Sequence, residues 1–171
     1  MFYNKLKIIF LLFLFSCADD NINNSNIDEL EESEFIFGDF NNLNILTWNV
    51  EHFPKSNSTI QYLKEAIQSM HVDIIAFQEI ESTNSFNQLV SDLGDNWIGY
   101  RHENSDWGEL SFLINTNNIT NQNPYSILNN NEYYFAYRPP YVLEFTYQDQ
   151  NFILINVHYK CCGDGNLDEE D

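Results

Sequence analysis

Residues 73–82 read DIIAFQEIES. Ile74, Ile75, Ala76 and Phe77 form a nearly continuous apolar run, the pattern of a strand in a parallel sheet with both faces covered. The run ends in two carboxylates, Glu79 and Glu81. In open α/β sheets the carboxyl ends of strands open into the crevice where ligands sit, so a carboxylate there is either a metal ligand or the first solvated residue of a loop.

The flanking segments extend this into a β-α-β unit. LNILTWNV (43–50) has strand composition, and SNSTIQYLKEAIQSM (56–70) places Ile60, Leu63, Ile67 and Met70 on one helical face, with Asn57 or Ser58 as the N-cap. The crossover makes the strands at 43–50 and 73–78 parallel. NSFNQLVSDLG (84–94) predicts a second helix with Phe86, Leu89, Val90 and Leu93 inward and Gly94 as its stop. Strands are predicted at 97–101, 109–115 and 141–147, the last turning through 148–151 and returning as FILINVHY (152–159). Residues 116–136, rich in Asn and Tyr, read as a long surface connection. No internal repeat, glycine-rich phosphate loop or zinc spacing occurs.

At the N-terminus, Lys5 and Lys7 precede an apolar run from Ile8 to Phe15 that is too short to span a bilayer and is flanked like a secretory signal. It ends in Leu14-Phe15-Ser16-Cys17, which resembles a bacterial lipobox with Cys17 as the lipidated residue. Residues 1–17 are thus expected to be a lipoprotein signal, and the protein to be exported and membrane-anchored at the outer membrane or cell surface. Residues 18–42 are polar, acidic and aperiodic, as in a flexible tether.

The net charge of −19 excludes a basic-patch binder, because nucleic-acid affinity of that kind comes from Lys and Arg neutralising phosphates. Half of the 26 acidic residues lie outside the domain, eight in 18–42 and five in the tail at 163–171. The domain itself is still acidic, so any phosphate contact rests on a few placed residues aided by divalent cations. Three strand ends supply candidates: Asn49 after ILTW, Glu79 after IIAFQ and His158 after ILINV. An amide, a carboxylate for a hard cation and an imidazole together suit metal-assisted phosphoester hydrolysis.

LTWNVEHF, DIIAFQEIES, YRPPYVLEFTY and FILINVHYK, in that order, resemble the endonuclease/exonuclease/phosphatase family, the group of deoxyribonuclease I and exonuclease III, over about residues 43–162. The resemblance implies an α/β fold, the N-terminal part of a four-layer α/β sandwich in which two packed mixed β-sheets are flanked by helices. It implies that Glu79 is the ligand of Mg²⁺ (or Mn²⁺ or Ca²⁺) and that Asn49 lies beside metal and scissile phosphate. Glu109 resembles the carboxylate that orients the catalytic histidine, His158 that histidine, and Arg138 the arginine that grips phosphate. Glu81 is left between a substrate-side and a solvated role, and Lys160 between facing phosphate and capping a strand end. Cys161 and Cys162 are adjacent, and a bond between neighbours closes a strained ring, so their pairing stays open.

In the family the histidine lies about midway, followed by a Gly-Asp-x-Asn loop and a Ser-Asp-His segment. Here the sequence stops at Asp171, 13 residues after His158, so this second half-site is expected to be absent, and the GDFN at residues 38–41 precedes the first strand. Residues 43–162 are therefore expected to be a partial domain truncated in the acidic tail, with little or no hydrolytic activity alone. The implied activity is an extracellular endonuclease-type phosphodiester hydrolase acting on nucleic acid or another phosphodiester, with the membrane met through the lipid anchor and no protein partner. The alternatives are a phosphatase or sphingomyelinase-like phospholipase of the same family, or a non-catalytic surface-binding lipoprotein.

Overall fold

The protein is described here by a computed structural model covering residues 7–9, 37–103 and 109–159. Two four-stranded sheets organise it. The first contains β2 (Ile45–Phe53), β3 (Ile74–Ile80), β4 (Trp97–Arg101) and β5 (Glu109–Asn115) in the order β2-β3-β5-β4. The second contains β1 (Lys7–Ile9), β6 (Ile119–Ser126), β7 (Tyr141–Tyr147) and β8 (Gln150–Asn156) in the order β1-β8-β7-β6. Both sheets are mixed: β2 runs parallel to β3 and β1 to β8, while the remaining pairs are antiparallel.

The apolar run at 74–77 is continuous because β3 lies inside the sheet with both faces buried. Ile74 and Ala76 face the second sheet, where they join Leu110, Phe112, Ile114, Leu143, Phe145, Phe152 and Leu154. Ile75 and Phe77 face α1 (Thr59–Gln68) and α2 (Thr83–Leu93) through Leu63, Ile67, Phe86 and Leu89. Aromatic stacking fills the space between the sheets, with Phe112 on Tyr141 at 5.2 Å and Phe145 on Phe152 at 5.4 Å. The expected α/β sandwich of two packed mixed sheets with flanking helices is thus present. Among the described residues both helices lie on the first sheet, so three of the four layers are in place.

Local signals set the helix ends. Ser82 Oγ accepts from Ser85 N–H at 3.2 Å to cap α2, and Gly94, at φ +101°, ends it in a conformation that side chains disfavour. Close approach fixes α2 against β4, since a Cβ on Gly99 would lie 2.6 Å from Val90 Cγ2 and 2.7 Å from Phe86 Cε1.

Two segments differ from the sequence reading. Residues 116–136 contain β6 and a 3₁₀ segment, Asn129–Phe135, instead of a featureless connection. β6 is an edge strand held by backbone pairing to β7, so its Asn residues and Pro124 are tolerated there and the expected apolar alternation is missing. The return strand β8 starts at Gln150 and ends at Asn156, leaving His158 two residues beyond it. The hairpin turn is only Gln148 and Asp149, both at positive φ (47° and 59°), the backbone of a primed two-residue turn without its usual Asn-Gly signature.

Lys7–Ile9 pairs in parallel with Phe152–Leu154 at the β8 edge. Within the stretch read as tether, Asp39 accepts from Asn41 N–H and Asn42 N–H, and Phe37 O accepts from His71 N–H at 2.8 Å. Cys17, Lys160, Cys161, Cys162 and the acidic tail lie outside the described residues. No helix among the described residues is long and apolar enough to cross a membrane.

Gly99→Ala is expected to destabilise the fold by about 1–3 kcal/mol through overpacking against the buried Phe86 ring. Urea unfolding would show a lower midpoint at an unchanged slope.

Candidate active site

Side chains alternate faces along a strand, and β3 breaks that alternation just where its carboxylate appears. Phe77 pairs with Ser111 and Ile80 with Glu109, so Gln78 and Glu79 together oppose Leu110 alone. Glu79 sits in this bulge at φ +64°. The extra residue sends Ile80 to the helix-facing core beside Phe77, whereas Gln78 and Glu79 both reach toward the second sheet. β2 bulges alongside: between Asn49↔Gln78 and Phe53↔Ile80 it inserts Val50, Glu51 and His52, with Glu51 and His52 at φ +37° and +56°.

These distortions surround the Glu79 carboxylate with donors. Asn49 Nδ2 donates to Oε1 at 2.9 Å, and the His52 backbone N–H donates to Oε2 at 3.1 Å. Asn49 Oδ1 accepts from Glu51 N–H at 2.9 Å, which fixes the amide's orientation. Burial pushes the Glu79 acid up, but the hydrogen bonds from Asn49 and His52, with the nearby His158 and His52 rings, outweigh it and hold the acid below the ordinary glutamate value.

From the other sheet, His158 brings Nε2 to 3.5 Å from Glu79 Oε1. Its Nδ1 lies 2.8 Å from Arg138 Nη1. A guanidinium can only donate, so Nδ1 is the acceptor and the ring proton sits on Nε2, facing Glu79. Burial first, and the Arg138 charge second, push the ring below the ordinary histidine value against the pull of Glu79, so His158 is neutral at pH 7.

Asn49, Glu79, Arg138 and His158 thus come together, from residues as far as 109 positions apart in sequence. Arg138, read from the sequence as the arginine that grips phosphate, stands beside His158. It is only 6% exposed, and its contact with His158 Nδ1 fixes the imidazole. Glu109, read from the sequence as the carboxylate that orients the histidine, is fully buried and accepts from His102 Nδ1 at 3.0 Å. β5 begins beside the exit of β4, which delivers His102, whereas His158 leaves the opposite sheet. Glu81 lies 2.5 Å from His52 Nδ1 at the rim, and this hydrogen bond raises the His52 pKa.

Three residues missed in the sequence support the site from below. Gln78 Nε2 donates to Asn156 Oδ1 at 2.8 Å, and Asn156 Nδ2 donates to Phe77 O at 2.8 Å and Ser111 O at 3.2 Å, tying the sheets together beneath Glu79 and His158. Arg101 donates from Nε to Ile80 O at 3.0 Å and from Nη2 to Glu81 O at 3.2 Å, holding the exit of β3. Asn156 carried a signal: a polar residue that breaks an apolar strand run two positions before the candidate histidine.

Among the described residues no group of three or more His, Cys, Asp or Glu gathers as a cage for a metal. The donor set instead suits a hard cation of the magnesium type, which is commonly held by one or two carboxylates while water and substrate phosphate complete its shell. Glu79, kept ionised and partly open, is the residue that fits.

The fold is similar to that of D. rerio TDP2. A humanized D. rerio TDP2 carrying 14 mutations matches with a TM-score of 0.59 at 15% identity, over 71% of this chain and 52% of that one. D. rerio TDP2 complexed with single strand DNA product matches with a TM-score of 0.56 at 16% identity, over 75% and 49%. An endonuclease/exonuclease/phosphatase family protein from Leptotrichia buccalis C-1013-b gives 0.49 at 17% identity, over 70% and 55%. The chain therefore spans about half the length of the solved structures it matches. No family model matches the sequence, and no curated protein does.

The neutral His158 gives a signed pH dependence. Its folded pKa lies below the unfolded value of about 6.5, so its stabilisation is complete above that value and is lost as the pH falls toward the folded pKa. Glu79 acts likewise at lower pH, whereas the raised His52 acts in the opposite sense, its contribution fading as the pH rises. The gap in urea midpoint between wild type and His158→Gln should be wider near pH 7.5 than near pH 5.5. A gap that does not change would contradict the neutral assignment.

Proposed function

We propose that the chain carries the metal-and-phosphate side of a divalent-metal-dependent phosphodiester hydrolase, of endonuclease type and of the endonuclease/exonuclease/phosphatase family. One observation carries the reading. The Glu79 carboxylate at the end of one sheet receives the Asn49 amide and the His52 backbone N–H, and lies 3.5 Å from an imidazole delivered by the other sheet. The fold shared with D. rerio TDP2, one structure of which holds a single strand DNA product, favours nucleic acid as the substrate.

Each residue then has a distinct task. Glu79 would hold the cation, and that cation, when bound, supplies Lewis-acid polarisation of a phosphoryl oxygen. Asn49 and the His52 N–H keep the carboxylate ionised and correctly turned. His158 offers the Nε2–H to a phosphate oxygen, stabilising developing negative charge by a preorganised donor. Arg138 fixes the tautomer that makes this possible and places a buried positive charge behind the ring. In the same proposal the chain is exported and anchored through Cys17, supported by the order of Lys5, Lys7, the apolar run and the small residue before the cysteine.

Titration calorimetry with Mg²⁺ in the presence of the dinucleotide thymidylyl-thymidine tests the assignment. Glu79→Gln is expected to remove the Mg²⁺-dependent heat, and Arg138→Lys to weaken dinucleotide binding about tenfold by losing the planar donor behind His158. Equal heats for wild type and Glu79→Gln would contradict it.

A further inference from the structure

Aromatic side chains that the hydrolytic reading leaves unused gather beside its central histidine. Tyr133, Tyr134, Tyr137 and Tyr159 are 54%, 70%, 58% and 50% exposed. Scattered exposed tyrosines need no explanation, but these touch. Tyr133 meets Tyr134 edge-on at 5.6 Å and Tyr137 edge-on at 6.0 Å, and Phe135 meets Tyr159 at 5.8 Å. Edge-on contact between exposed rings leaves ring faces available for stacking.

Their place in the chain ties them to the site. Tyr137 directly precedes Arg138, and Tyr159 directly follows His158. Arg138 Nη1 and His158 Nδ1 are 2.8 Å apart and Phe135 meets Tyr159, so the aromatic 3₁₀ segment and the exit of β8 meet beside the site. The corner between them is built: Ala136 and Tyr137 both hold left-handed backbone, at φ +52° and +61°.

We propose that these tyrosines form a stacking platform for unpaired bases of a single-stranded nucleic acid whose phosphate lies at His158. The proposal rests on the hydrolytic reading for the position of that phosphate. A chain of net charge −19 cannot draw nucleic acid in through a basic surface. Base stacking on aromatic rings depends little on charge or sequence and is worth roughly tenfold or more in affinity per base. Bases flank their phosphate directly in the strand, as the tyrosines flank Arg138 and His158 in this chain. Duplex bases are already stacked on each other, which selects single strands. A bilayer fits less well, because residues 129–137 contain Glu132 and no Lys or Arg, and Leu128 is the exposed aliphatic residue beside them.

Fluorescence anisotropy of the full chain with labelled octathymidylate, and with an abasic deoxyribose-phosphate oligomer of equal length, tests the platform. Octathymidylate is expected to bind at least about tenfold tighter than the abasic oligomer. Tyr134→Ala and Tyr137→Ala should each remove about that factor for octathymidylate alone, while Tyr134→Phe and Tyr137→Phe retain it. Equal binding of the two oligomers, binding of neither, equal binding of a blunt duplex, or indifference to the alanine variants would overturn the proposal. So would tyrosine-dependent binding to phosphatidylcholine vesicles without binding to octathymidylate. Failure of the hydrolytic reading looks different: Glu79→Gln and His158→Ala would leave abasic-oligomer binding unchanged while the tyrosine variants still separated the two oligomers, which would support the platform alone.

Discussion

The site depends on a buried amide pair between the sheets. Gln78 and Asn156 are 6% and 3% exposed, and each is one or two residues from a site residue, Gln78 before Glu79 and Asn156 before His158. Hydrophobic contact holds two sheets together without fixing their register, whereas directional hydrogen bonds do fix it. The 2.8 Å bond from Gln78 to Asn156, and the bonds from Asn156 to Phe77 O and Ser111 O, therefore set how far Glu79 stands from His158. Removing either amide would strand its buried partner, at a cost of about 1–3 kcal/mol. The sandwich core could tolerate that loss more readily than the site could tolerate a shift of an ångström.

Above this pair the backbone is distorted. Glu51, His52 and Glu79 all adopt left-handed φ without being glycine, at roughly 1–2 kcal/mol each. Such conformations persist where surrounding contacts over-determine them. Here those contacts are the two donors on the Glu79 carboxylate, the Asn49 bond to Glu51 N–H, and the grip of Arg101 on Ile80 O and Glu81 O. The regular alternation of β3 would have put Glu79 on the helix-facing side with Ile75 and Phe77. The bulge puts it in the cleft.

This explains how much could be read from the sequence. Strands 97–101, 109–115 and 141–147 were legible because strands that face a core advertise themselves by apolar content, and β4, β5 and β7 match those bounds. Asn49, Glu79 and His158 were legible as polar residues ending such runs. β6 was not, because an edge strand held by backbone bonds has no side-chain pattern to show. The hydrogen bond between His102 and Glu109 was not, since it depends on which sheet each strand joins, a long-range fact that no local stretch encodes. The turn at Gln148 and Asp149 was hidden because its left-handed residues are not the ones that prefer that conformation.

The central claim is that the two sheets share one site, in which Glu79 from the first would hold the cation and His158 from the second would donate to the phosphate beside it. Paramagnetic line broadening by substoichiometric Mn²⁺, followed by NMR, tests it most directly. The account predicts that the Asn49 side-chain amide and the His158 ring signals broaden together, and that Glu79→Gln abolishes both effects. Broadening of Asn49 without His158, or broadening that survives Glu79→Gln, would contradict it.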